Sequence, residues 1–152
     1  MGMRVLVVDD EAVMRIVAEG ALTEAGYEVE SAVSGSHALA IMAVRKFHIV
    51  VTDLCMPGMD GRELLKRIHE EHPLTRVIIM TGAASINNLL SCLREGAFAF
   101  VIKPITDLET LIHPVHIAAW TVQVWMDQLG ELRRLNPTRA DKSNQIGEAG
   151  VP

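Results

Sequence analysis

Residues 4–32 read RVLVVDDEAVMRIVAEGALTEAGYEVESA, and they decide the fold. Arg4–Val8 carries an unbroken β-branched and aliphatic run, the pattern of a strand covered on both faces. Asp9-Asp10-Glu11 ends it. From Glu11 to Ala25, Val13, Ile16, Val17, Ala21 and Leu22 recur at helical spacing, which predicts a helix with those side chains inward, stopped by Gly26. Tyr27–Ala32 reads as a second strand. A strand, a helix and a strand with no hairpin turn between them make a parallel crossover unit.

The unit repeats along the chain. Ser34–Lys46 is helical, with Ala38, Leu39, Ile41 and Met42 inward and Ser34 as candidate cap. His48–Thr52 is a third strand. Leu54–Asp60 is a loop that turns at Pro57-Gly58, and Gly61–His72 is a helix closed by Pro73. Arg76–Thr81, Ser85–Glu95 and Ala97–Lys103 read as strand, helix and strand, and a long helical stretch opens near Asp107. Five such units predict an α/β fold: a flavodoxin-like (βα)5 doubly wound five-stranded parallel sheet, order 2-1-3-4-5, with an extended C-terminal helix.

The chain has 152 residues, 49% apolar and 22% charged, which suits one globular core and excludes a wholly disordered chain. Net charge is −5, and the whole acidic excess lies in residues 1–60, with 4 basic residues against 9 acidic. An acidic chain without a Lys/Arg cluster argues against binding nucleic acid or an anionic membrane surface. The first apolar run is too short for a signal peptide or a membrane span. Cys55 and Cys92 have no metal-ligand spacing and read as reduced thiols of a cytoplasmic protein.

In such sheets ligands bind beyond the carboxyl ends of the strands. Asp9 and Asp10 follow the first strand, Asp53 the third, Thr81 closes the fourth and Lys103 the fifth. Crowded carboxylates repel unless some are protonated or a cation lies among them. Oxygen ligands suit Mg2+ or Mn2+, and Mg2+ commonly takes one or two carboxylates plus water and phosphate. A phosphate oxyanion would satisfy both a metal and Lys103, with Thr81 as a donor. Asp53 is then either a ligand or a nucleophile, since carboxylates attack phosphorus to form acyl phosphates. Catalysis of such a transfer is mainly positioning and charge neutralisation.

Asp9-Asp10-Glu11, Val51-Thr52-Asp53-Leu54-Cys55-Met56-Pro57-Gly58-Met59-Asp60-Gly61, Met80-Thr81-Gly82 and Lys103-Pro104 stand in one order along residues 3–118. That set resembles the receiver domain of two-component response regulators. The resemblance implies that Asp53 accepts a phosphoryl group from a histidine kinase or phosphotransfer protein. It implies that Asp10, Asp53 and the backbone carbonyl of Cys55 hold Mg2+ or Mn2+, with Asp9 acting through water. Lys103, Thr81 and Gly82 would face the phosphoryl oxygens. Thr81 and Phe100 would shift together and remodel the surface of the fourth helix, fifth strand and fifth helix, although a strand aromatic such as Phe100 is by default a core residue. Lys103-Pro104 resembles the family's cis peptide. Cys55 and Ala83, both small, stand where the family tunes phosphoryl loss, which implies a short-lived state. Such a chain is a signalling module, not an enzyme beyond its own phosphoryl transfer and loss.

Three other readings compete. An aspartyl phosphatase would carry a second Asp two residues past the nucleophile, where this chain has Cys55. A flavin or nucleotide binder would place its phosphate loop after the first strand, where Asp9-Asp10-Glu11 repels phosphate. A non-phosphorylated scaffold would act through its C-terminal helix. His113 and His116 are three apart on one helix but lack a third metal ligand.

Thr106-Asp107-Leu108-Glu109 fits a capping box. Leu108, Leu111, Val115, Ala118, Val122, Trp125, Leu129 and Leu132 follow at alternating 3 and 4 spacing, a heptad seam. Residues 119–135 therefore read as an extension of the last helix and a candidate coiled coil. Val122, Trp125, Leu129 and Leu132 are the expected homodimer or partner seam, with Trp120, Val124 and Trp125 exposed if the helix runs free. Pro114 predicts a kink or a helix restart. Residues 136–152 are polar and aperiodic and read as a disordered tail or linker, too short for an output domain. The chain is thus expected to be a stand-alone receiver or one cut from a longer protein at a linker.

Overall fold

A computed structural model describes residues 2–82 and 86–136. Strands β1 (Arg4–Val8), β2 (Glu28–Ala32), β3 (Ile49–Asp53), β4 (Arg76–Thr81) and β5 (Ala99–Ile102) alternate with helices α1 (Ala12–Glu24), α2 (Gly35–Val44), α3 (Gly61–Glu71), α4 (Ile86–Arg94) and α5 (Glu109–Leu135). All pairings are parallel and the order is β2-β1-β3-β4-β5, as the alternation predicts. The expected tail at 137–152, the start of the fourth helix at Ser85, and Ala83 lie outside the described residues.

Period-two alternation along the strands sorts the core into two layers. Leu6, Val8, Val50, Val77 and Ile79 face α2, α3 and α4. Val5, Val7, Ile49, Val51, Ile78 and Met80 face α1 and α5. Phe100 is half-buried in the first layer. Ser34 caps α2 by accepting from the His37 amide at 3.1 Å, as expected.

The inward face of α1 differs from the expectation. Val13 and Ile16 are 70% and 68% exposed and Val17 is also exposed, while Ala18, Ala21 and Leu22 are buried and Met14 packs against them. Two helical stripes overlap in this segment: one through residues 13, 16 and 17, the other through 14, 18, 21 and 22. The second wins because small Ala18 and Ala21 let the helix lie close to the sheet, with Leu22 filling the layer below.

The last helix departs from the expectation at its cap and along its seam. Its first amide, that of Glu109, is capped by the Asp107 carboxylate at 3.0 Å, so Thr106 makes no capping box with it. Pro114 sits inside a continuous helix, so of the two expected outcomes the helix does not restart there; its missing N–H removes one helical hydrogen bond. The seam is also divided. Leu111, Val115, Ala118 and Val122 are buried in the domain's own core, Val122 being 3% exposed. Trp125 is half-buried over Arg76, and only Leu129 and Leu132 of the expected partner residues are exposed. Trp120 is 69% exposed, as expected. The helix is about 40 Å long at 1.5 Å per residue, so its final turns run beyond the strands they would cover. No helix among the described residues is long and apolar enough to cross a membrane.

Candidate functional site

The parallel register brings the strand ends level. Val8 pairs with Thr52, Asp53 with Met80 and Thr81 with Ile102. Asp9, Asp53, Thr81 and Lys103 thus meet at one edge. Asp9, Thr52, Asp53 and Thr81 are the buried polar residues of the described chain, whereas Asp10 is exposed. Carboxylate oxygens of Asp9, Asp10 and Asp53 lie within 4.8 Å of one another.

One ammonium serves two of these carboxylates. Lys103 Nζ donates to Asp9 Oδ2 at 2.8 Å and lies 3.3 Å from Asp53 Oδ2. Burial pushes the Asp53 carboxyl above its ordinary range and the charge of Asp9 adds to this, against the opposing pull of Lys103. Burial works to lower the Lys103 ammonium, but its hydrogen bond to Asp9 and the charges of Asp53 and Asp9 prevail and hold it above its ordinary value. The cluster holds three carboxylates against one lysine, and every candidate ligand atom is oxygen. That donor set and charge deficit fit a hard divalent cation such as Mg2+ or Mn2+.

The backbone around the site is shaped to hold it. The Cys55 amide donates to Asp53 Oδ1 at 3.4 Å, so the chain after β3 turns back over the carboxylate, leaving the Cys55 thiol exposed. The Leu54 amide donates to the Met80 carbonyl at 3.0 Å and the Lys103 amide to the Thr81 carbonyl at 2.9 Å, which extends the ladder beyond the strands. Gly82 lies beside Lys103. The Lys103–Pro104 peptide is cis. Gly61 opens α3 directly beneath the site: a Cβ there would stand 2.2 Å from the Asp53 carbonyl oxygen.

The site residues read from the sequence, Asp9, Asp10, Asp53, Thr81, Gly82 and Lys103, all lie at this edge. Phe100 lies in β5, paired with Ile79 two residues short of Thr81, and Val122, Trp125, Leu129 and Leu132 are on α5, away from the edge. Sequence reasoning missed Arg15, whose Nη1 donates to the Asp9 carbonyl at 2.7 Å. Its signal was a lone cation on the α1 stripe that turns inward. His113 and His116 form no metal cluster with a third ligand among the described residues; His116 Nδ1 is hydrogen-bonded to the Tyr27 hydroxyl.

Residues 5–116 match the response regulator receiver domain family. The two-component response regulator ORR3 of Oryza sativa subsp. japonica is 40% identical over 104 residues, covering 66% of this chain and 79% of that protein. The DNA-binding transcriptional regulator NtrC of Klebsiella pneumoniae is 34% identical over 143 residues, and this chain spans 29% of that protein's length. A response regulator receiver domain protein from Methanospirillum hungatei superposes with a TM-score of 0.77 at 30% identity, over 81% of this chain and 98% of that one. NtrX from Brucella abortus superposes with a TM-score of 0.81 at 30% identity, over 91% of this chain and 31% of that one. With its doubly wound sheet, its acidic pocket of Asp9, Asp10 and Asp53, and Lys103 facing them, the chain belongs to the response regulator receiver domains of two-component systems.

Proposed function

We propose that this receiver takes a phosphoryl group on Asp53 from a histidine kinase or a phosphotransfer protein and passes the change to a partner surface. The observation that carries the reading is Lys103 Nζ lying between Asp9 and Asp53, with a third carboxylate within reach. An Asp53 carboxylate oxygen attacks phosphorus and forms a P–O bond while the donor's bond to phosphorus breaks. The leaving imidazole of a phosphohistidine keeps that electron pair and takes up a proton. Asp10, Asp53 and the Cys55 carbonyl are the proposed ligands of Mg2+ or Mn2+, with Asp9 contributing through water. When bound, the ion neutralises phosphoryl charge. Lys103, Thr81 and Gly82 would hold the phosphoryl oxygens.

Only a contact that differs between two states shifts their balance. Thr81, at the end of β4, and Phe100, half-buried in β5, are the proposed switch pair. They would act on the surface of α4, β5 and α5, which already exposes Ile86, Leu90, Leu93 and Ile102. Cys55 and Ala83 support a short-lived phosphoryl state. The function is signalling through binding, in the cytoplasm, with no turnover of an external substrate.

A second reading concerns α5. Leu129, Leu132 and Leu135 are exposed on its final turns. Continuation of the leucine spacing past the covered part of the helix supports a homodimer built there, with or without phosphorylation.

Intact mass after incubation with acetyl phosphate and Mg2+ tests the first reading. One added phosphoryl group, absent with chelator and absent in Asp53→Asn, is expected. An unchanged mass for the wild type, or the same gain in Asp53→Asn, would overturn it.

A further inference from the structure

Asp9 is fully buried and has every polar group engaged, each by a different part of the chain. Its amide donates to the Ala32 carbonyl at 3.2 Å. Its Oδ1 accepts from the Glu11 amide at 2.9 Å, and its Oδ2 from Lys103 Nζ at 2.8 Å. The fourth group, its backbone carbonyl, accepts from Arg15 Nη1 at 2.7 Å. Asp9 is therefore a fixed post at the end of β1.

Asp10 is in the opposite condition. It is exposed, so no surrounding core holds it. Its position depends on the peptide unit that joins it to Asp9. That unit is planar from the Cα of one residue to the Cα of the next, so fixing its oxygen fixes the orientation in which Asp10 leaves the strand. Arg15 holds that oxygen. On the other side of Asp10 the Glu11 amide is tied to Asp9 Oδ1, but the Glu11 side chain at the N-cap of α1 makes no capping bond, so Arg15 is the side chain that holds this turn to the helix.

We propose that Arg15 is a positioning residue for the divalent cation, aiming the Asp10 carboxylate by clamping the Asp9 carbonyl. The proposal rests on the metal reading above. Groups behind the direct ligands commonly change metal affinity by about 10–100-fold when removed. Charge alone predicts the opposite sign here: deleting a cation beside three carboxylates strengthens the pull on a divalent ion. The direction of the effect therefore separates geometry from field.

The test is a Mn2+ titration of the full chain, following free Mn2+ by electron paramagnetic resonance, on wild type, Arg15→Ala and Arg15→Lys. Each protein is also melted in chelator. Arg15→Ala is expected to weaken Mn2+ binding by about tenfold, at the lower end of that range, while still melting cooperatively in chelator. Arg15→Lys, which keeps a charge and a donor, should recover most of the loss. Unchanged or tighter binding by Arg15→Ala overturns the proposal. So does a loss that follows a fall in melting temperature and is not recovered by Arg15→Lys. A wild type that takes up no Mn2+ overturns the metal reading itself, a result distinct from a wild type that binds and a variant that binds equally.

Discussion

The indole of Trp125 covers the guanidinium of Arg76 at 3.7 Å from ring centroid to Cζ, and Phe98 stands 5.1 Å from the same group. Arg76 opens β4, and Phe98 directly precedes β5, so this stack fastens the extension of α5 to the entrance edge of the sheet. Burial lowers the pKa of Arg76, and its Nε has no hydrogen-bond partner, so the two rings are its chief compensation. A desolvated cation–π contact is worth about 2 kcal/mol. Trp125→Leu should therefore lose about 2 kcal/mol in urea unfolding. Trp120→Leu, at an exposed position on the same helix, should stay within about 0.5 kcal/mol of wild type. Equal effects of the two substitutions would remove Trp125 from the role of fastener.

Gly61 and Gly20 make opposite predictions for the same substitution. A Cβ at Gly61 would lie 2.2 Å from the Asp53 carbonyl oxygen and 2.8 Å from the Leu54 Cα, both backbone atoms that cannot step aside. Gly61→Ala should cost about 3 kcal/mol or more, the upper range for overpacking, and slow the proposed phosphorylation of Asp53 by moving its backbone. At Gly20, in the middle of α1, a Cβ meets nothing within 4 Å. Gly20→Ala should stabilise by about 0.5–1 kcal/mol through helix propensity alone. Denaturant melts of both variants check the pair.

The raised pKa of Asp53 sets a direction for metal-free stability. A carboxyl whose folded pKa lies above its unfolded value binds protons more readily in the folded state. Stability therefore falls as pH rises from the unfolded value through the folded one, and above that window the carboxylate is a constant cost. Asp53→Asn removes the cost. In chelator near pH 7 it should melt above wild type, and the difference should shrink as pH drops from the raised folded value toward the ordinary carboxylate value. Added Mg2+ should raise the wild type more than the variant, because binding to the folded state stabilises it. A variant less stable than wild type in chelator at pH 7 would contradict this account.

Dimerisation through α5 has its own test. Leu129 and Leu132 are exposed and lie outside the domain core, so charging them leaves the fold intact. Sedimentation equilibrium should show a concentration-dependent dimer for wild type and a monomer for the double variant Leu129→Glu and Leu132→Glu. A wild type that stays monomeric at high concentration, phosphorylated or not, would leave these leucines without that role.

The order of elements and the site edge were legible in the sequence because both depend on local pattern. Val5 to Val8, Ile49 to Val51 and Val77 to Met80 are short buried runs of the kind a doubly covered sheet demands, and the site residues stand directly after such runs. Parallel register then brings Asp9, Asp53 and Lys103 together without any detail of side-chain packing. What periodicity cannot tell is which of two overlapping stripes meets a neighbour. Tertiary packing chose Ala18 and Leu22 over Val13 and Ile16 on α1, because the close approach of helix to sheet favours small residues at the contact. It also divided the α5 seam, burying Val122 and stacking Trp125 on Arg76, because the helix outruns the strands beneath it. The clamp of Arg15 on Asp9 and the space reserved at Gly61 are distances between separate elements, and only the packed structure sets those.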